Sequence, residues 1–267
     1  MSTRLLHAIE AKPNVVRDGL RYLCLDHANT LSSDGIHRLL QTARRVVDFT
    51  ITTSDARPDL LPLLTAMPDL RRFTGPLHGL FGTRSLIPTR GIDPTHPFFN
   101  NITHLDIFDE PTGPFVKAAG RDTPTLATPS THETLSRLPA LTHLSFSNPS
   151  GESWTPVESL LADCPRLVVL VLLWPKWRAP SRRQWANTSP VRDPRLVCGV
   201  YDGGRDAWAD WENHALRGEA DFWERAEEFV KRKLCKDVDA ECFWMGGEDF
   251  LLALPEADSS GSEAEAD

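Results

Sequence analysis

Short apolar clusters recur along the chain with a common internal spacing. They are "GLRYLCL" (Gly19–Leu25), "RVVDFTI" (Arg45–Ile51), "MPDLRRF" (Met67–Phe73), "NITHLDI" (Asn101–Ile107), "LPALTHLSFSN" (Leu138–Asn148), "CPRLVVLVLLW" (Cys164–Trp174) and "DPRLVCGVY" (Asp193–Tyr201). Their first apolar positions are Leu20, Val46, Leu70, Ile102, Leu141, Leu167 and Leu196, separated by 26, 24, 32, 39, 26 and 29 residues. Alternation after the first position is that of a strand, which sends successive side chains to opposite faces. The stretches before several clusters have helical spacing instead: "SSDGIHRLLQTARRV", "ARPDLLPLLTAMP", "STHETLSRLP" and "TPVESLLADCP". Start signals of the capping-box type stand at Ser130 with Glu133, and at Thr155 with Pro156 and Glu158. Pro68, Pro139 and Pro165 stop three of the helices.

Helix, proline and strand in repetition, with the spacing L-x-x-L-x-L, predict a leucine-rich-repeat solenoid. The expected fold is α/β: a horseshoe arc of about seven parallel strands with outer helices. Residues 1–202 make the repeat, 203–254 a Trp-rich helical C-terminal cap, and 255–267, with "EADSSGSEAEAD", a disordered acidic tail. The two longest separations hold "GTRSLIPTRGIDPTHP" and "EPTGPFVKAAGRDTPTLATPS", rich in Pro, Gly and Thr, which read as loop insertions.

In each strand the second apolar position points into the core and its neighbours point to the concave face. Those neighbours are Tyr22, Cys24 and Asp26; Asp48, Thr50 and Thr52; Arg72 and Thr74; His104, Asp106 and Phe108; His143, Ser145 and Ser147. The sixth strand differs, placing Val169, Val171 and Leu173 where the others are polar. Burying such side chains is worth about 1.5–3 kcal/mol each, so a cover is expected. Seven of the eight tryptophans lie at or beyond Trp174. "ADFWERAEEFVKRKL" has helical spacing at Phe222, Ala226, Phe229 and Val230 and a basic end suited to a helix C-terminus. A self-made cap over the last strands is the expectation.

The formal net charge of -8 argues against broad nucleic-acid or anionic-membrane binding. Five scattered cysteines without a CxxC read as free thiols, and Leu167–Trp174, followed by Pro175 and Lys176, is too short to span a bilayer. No secretory leader is expected in "MSTRLLHAIEAKP", so the chain reads as cytoplasmic or nuclear.

The repeat strands, "CPRLVVLVLLW", "DPRLV" and then "DWENHALRGEADFWERAEEFVKRK" (Asp210–Lys233) resemble those of the fungal F-box and leucine-rich-repeat proteins. The similarity covers most of the chain up to about Lys233. It implies a solenoid that selects substrates for a cullin-based ubiquitin ligase, with an N-terminal F-box module for docking. The chain opens at "MSTRLLHAIEAKPNVVRDGLRYL", with no F-box-like segment and its Leu-Pro start, so binding without docking is expected.

The expected function is therefore non-catalytic protein recognition by the concave face, through Tyr22, Asp26, Asp48, Arg72, His104, Asp106, Phe108, His143 and Ser145. No catalytic residue, cofactor or metal is expected, because no nucleophile elbow, P-loop, metal-spaced cluster or dinucleotide fingerprint occurs. His104 and His143 share a Thr-His-Leu motif and with Asp106 suggest a metal or acid/base cluster. A third ligand is not evident, and the motif recurs because the repeat does. "WPKWRAPSRRQW" (Trp174–Trp185) interleaves bases with tryptophan but reads as a packed loop. "KRKLCK" reads as a helix end, "YDGGRD" as a turn, and Ser260 and Ser262 as sites in an acidic phosphorylation context. The alternatives are a structural or decayed repeat protein without a partner, and an enzyme of unrecognised type.

Overall fold

The computed structural model describes residues 11–26, 32–53, 55–82, 92–108, 131–149, 153–201 and 208–245. Its frame is a single seven-stranded sheet in which strand order follows chain order and all neighbours are parallel. The strands are β1 (Tyr22–Leu25), β2 (Asp48–Ile51), β3 (Arg72–Gly75), β4 (His104–Ile107), β5 (His143–Ser147), β6 (Val169–Pro175) and β7 (Leu196–Tyr201). Between them run α1 (Pro13–Gly19, before β1), α2 (Ser33–Thr42), α3 (Leu61–Thr65), α4 (Leu77–Leu80), α5 (Thr131–Ser136), α6 (Thr155–Asp163) and α7 (Ala179–Ala186). The protein is thus α/β, with helices alternating with strands as the two periodicities predict.

One face of the sheet packs on the helices. Leu23, Phe49, Phe73, Leu105, Leu144, Leu170 and Leu196 form one buried row across it, and Ile36, Leu39, Leu64, Leu160 and Leu161 press on it from the helices. Leu167, Leu170 and Leu172 all belong to this core. At the end of β3, Gly75 passes so close to β2 that a Cβ would lie 2.8 Å from the carbonyl oxygen of Ile51, which explains a glycine there.

Register follows the apolar spacing from β1 through β6. Tyr22 pairs with Asp48, Asp48 with Arg72, Arg72 with His104, His104 with His143, and His143 with Val169. The seventh strand departs from it. Leu196 pairs with Leu170, not with Leu167, and the Arg195 amide just before the strand donates to Asp193 Oδ1 at 2.9 Å. The shared "PRL" opening thus misplaces the last strand by three residues.

Other local expectations shift too. Trp154, not Thr155, is the N-cap of α6, and Ser153 Oγ accepts from the Thr155 amide. Ser32 caps α2 by accepting from the Gly35 amide. "WPKWRAPSRRQW" is not a loop: after β6 it forms a 3-10 turn, Lys176–Arg178, and then α7. Trp185 of α7 stacks on Trp154 at 3.8 Å between ring centroids, and Arg182 lies over Trp185. Tryptophan and arginine here consolidate a helix rather than line a groove. Ser130 of the capping box, "YDGGRD" beyond Tyr201, the tail and most of both insertions fall outside the described residues.

Every residue of β6 is buried. The second face of β6 and β7 is covered by the C-terminal segment, which contains α8 (Ala209–Arg217) and α9 (Phe222–Leu234). Val169, Val171, Leu173 and Val197 form one buried cluster with Trp223, Ala226, Phe229, Val230 and Met245. The apolar stripe of α9 also takes in Trp223, with Phe222 half-buried against the same cluster. Beyond α9 the chain returns to the sheet edge: the Cys198 amide donates to Phe243 O at 2.6 Å and the Met245 amide to Cys198 O at 2.7 Å. This supplies partners to an otherwise open edge. Lys233 is buried beside it, donating to Leu196 O at 2.7 Å with its ammonium over the Phe229 and Phe243 rings, and burial lowers its pKa to about 8. No helix among the described residues is long and apolar enough to cross a membrane.

Candidate functional site

The face of the sheet opposite the helices presents side chains in rows, because parallel strands in register place equivalent residues side by side. The first row reads Tyr22, Asp48, Arg72, His104, His143. The second reads Cys24, Thr50, Thr74, Asp106, Ser145 and then Val171 and Val197. Seven of the nine expected residues (Tyr22, Asp48, Arg72, His104 and His143 in the first row, Asp106 and Ser145 in the second) stand in these rows, but they do not share one environment.

The first row meets the C-terminal helices. Tyr22 packs edge-on against Trp211 and His214 of α8, at 6.3 and 5.7 Å between ring centroids. Arg72 donates to Asp221 Oδ2 at 2.5 Å, and Asp221 is also the N-cap of α9, its Oδ1 accepting from the Glu224 amide. His143 Nε2 lies 2.9 Å from Glu227 Oε1. His104 and His143 stack at 3.9 Å, and Trp223 stands edge-on to both rings. The segment expected over the last strands thus reaches across to the first, and Asp48 and His143 are buried.

Burial governs the electrostatics. The Asp48 carboxyl is pushed up to about 6, with the Arg72 guanidinium and the Trp211 indole drawing it part of the way back. Burial, helped by His143 and Arg72, holds His104 down to about 2, so its imidazole is neutral. His143 is lowered by burial against the opposing pull of Glu227. Asp106, in the second row, is pushed up to about 6 by burial although Ser147 Oγ donates to both its oxygens at 3.0 and 3.2 Å. Ser145 is buried as well, and so is Thr50, whose hydroxyl has no hydrogen-bond partner among the described residues.

The far end of the face is more open. Asp26 is exposed just beyond β1 and accepts from Thr52 Oγ1 at 2.6 Å. Thr74, Phe108, Ser147 and Tyr201 are half-buried along the same end. Of the expected binding residues at this end, Asp26 is exposed and Phe108 half-buried, while Asp106, the register partner of Thr74, is buried. Tyr22, Arg72, His104 and His143 touch the C-terminal segment.

Sequence reasoning missed Glu227, Asp221 and His214 as partners of this face. A trace was available: Asp221 and Glu224 bracket the start of α9 with a capping signal, and Glu227 adjoins its apolar stripe. Nothing in the sequence sets which strand that helix meets. No protein-family model, curated protein or solved structure matches the chain.

Proposed function

We propose that the chain is a leucine-rich-repeat solenoid of the F-box type, acting as a non-catalytic protein-recognition module resembling the substrate-binding part of ubiquitin-ligase adaptors. The observation that carries this reading is the in-register array of unlike polar side chains on consecutive parallel strands. Such an array offers another protein a rigid surface of fixed shape and charge, which is how repeat folds bind. The C-terminal helices occupy the first row, so the partner engages the far end: Asp26, Thr52, Thr74, Phe108, Ser147 and Tyr201.

Proximity labelling in the native cell, comparing the unaltered protein with an Asp26→Arg, Thr74→Arg variant of equal thermal stability, tests this. A reproducible set of neighbours lost in the variant is the expected result. An unchanged set, or none, overturns it.

A further inference from the structure

Two histidines from adjacent strands and one glutamate from α9 bring three metal-ligating side chains to one point. His104 of β4 and His143 of β5 are register partners. Glu227 approaches from the covering helix, and one ligand atom from each of the three lies within 4.8 Å of the others. The Nδ1 atoms face inward along the strands: Thr103 Oγ1 is 2.9 Å from His104 Nδ1, and Thr142 Oγ1 is 2.8 Å from His143 Nδ1. Nε2 is left as the outward nitrogen of each ring. That of His143 meets Glu227, while no hydrogen bond engages His104 Nε2 among the described residues.

We infer that His104, His143 and Glu227 form a binding site for a divalent transition-metal ion, with Zn2+ the best chemical fit. Two imidazole nitrogens and one carboxylate oxygen are a standard three-ligand set for zinc, with water taking the fourth position. Both imidazoles are held neutral by burial, which is the ligating form. Each threonine hydroxyl also reaches a backbone carbonyl, Thr103 to Arg71 O at 3.3 Å and Thr142 to Thr103 O at 3.2 Å. The hydroxyl then gives its hydrogen to that carbonyl and accepts from Nδ1–H, the outer contact that orients a metal-bound imidazole. At His143 the ion takes the place of the Nε2 proton that faces Glu227, and that proton moves to Nδ1 through solvent. In the bound state each imidazole holds its one proton on Nδ1, so neither ring changes charge.

The rings also move. Zinc–nitrogen bonds of about 2.0–2.1 Å lie in the ring plane, and two parallel rings 3.9 Å apart cannot both meet one ion that way. They fan apart about their side-chain torsions while the strands stay paired. Arg72 acts on both histidines, but its charge is answered by Asp221 at 2.5 Å. A second trio, His214, Asp221 and Glu224, has suitable spacing. There the Arg72 guanidinium stands 2.5 Å from Asp221 and 3.4 Å from His214 Nε2, where it excludes another cation. The preferred site would pin α9 to the middle of the sheet.

Chelator-treated full-length protein is titrated with ZnCl2 by calorimetry and with CoCl2 by visible absorption. The expected result is one equivalent bound, a raised Tm, and cobalt bands of a nitrogen and oxygen site without thiolate charge transfer. Glu227→Gln and His104→Gln, each shown folded by circular dichroism, should each weaken zinc binding about tenfold or more. His214→Gln should leave it unchanged. Absence of stoichiometric binding, binding that either of the first two substitutions leaves intact, or binding lost in His214→Gln overturns the assignment.

Discussion

Arg72 and Asp221 are 149 residues apart in the chain, and their side chains meet at 2.5 Å, joining the third strand to the N-terminus of α9. Asp221 is 7% exposed and Arg72 19%. Removing one partner of a buried charged pair leaves the other without compensation. Arg72→Ala should destabilise the protein by about 2 kcal/mol, the scale of a hydrogen bond between charged groups. Asp221→Asn keeps a competent N-cap and should cost less. Urea unfolding of both single variants and the double variant gives the coupling energy; about 1 kcal/mol or more is expected.

Thr50 carries the reverse kind of defect. Its hydroxyl is buried in the middle of the second row without a hydrogen-bond partner among the described residues. Valine has the same shape without the unsatisfied group. Thr50→Val should therefore raise stability by about 1 kcal/mol, read as a higher midpoint of unfolding at unchanged m-value.

Asp106 makes stability depend on pH in a definite direction. Its folded pKa is raised from 3.8 to about 6 by burial. Between those values the folded state binds a proton that the unfolded state does not, so stability rises as pH falls through 6 toward 4. Above about 6 the buried charge is a standing cost. Asp106→Asn removes this contribution and no other titrating group. From pH 7 to pH 5 the wild type should gain about 1 kcal/mol relative to Asp106→Asn, measured by paired chemical denaturation.

The helix α9 is held by its apolar stripe as much as by its charged contacts. Phe229 and Trp223 close over Val169, Val171 and Leu173. Phe229→Ala should cost about 3–5 kcal/mol. Deleting the chain from Asp206 onward bares the whole cluster and the β7 edge, and the remainder should aggregate. Light scattering of the truncated protein checks this, and a soluble, folded truncation would contradict it.

Much of this architecture is legible in the sequence. The apolar spacing places six strands in register, and the odd apolar row at Val169, Val171 and Leu173 signals that something covers it. The seventh strand misleads because "PRL" repeats at Pro165 and Pro194 while the ladder aligns Leu196 with Leu170. The tryptophan-rich stretch after β6 misleads because its arginines and prolines hide a helix whose stability comes from Trp154 and Trp174, outside the helix itself. The polar contacts of the face are the least legible part. Glu227 reaches His143 across 84 residues, and no local pattern specifies such a meeting. It depends on how α9 settles over the sheet, which is decided by packing at Trp223 and Phe229.

The proposed recognition surface is tested most directly by a photo-crosslinking amino acid placed in the native cell at position 108, at position 26, and at the exposed position 38 on the helical side. Adducts of the same discrete mass at 108 and 26, absent at 38, are the predicted result. Adducts at 38 alone, or none at 108 and 26, would contradict protein recognition by this face.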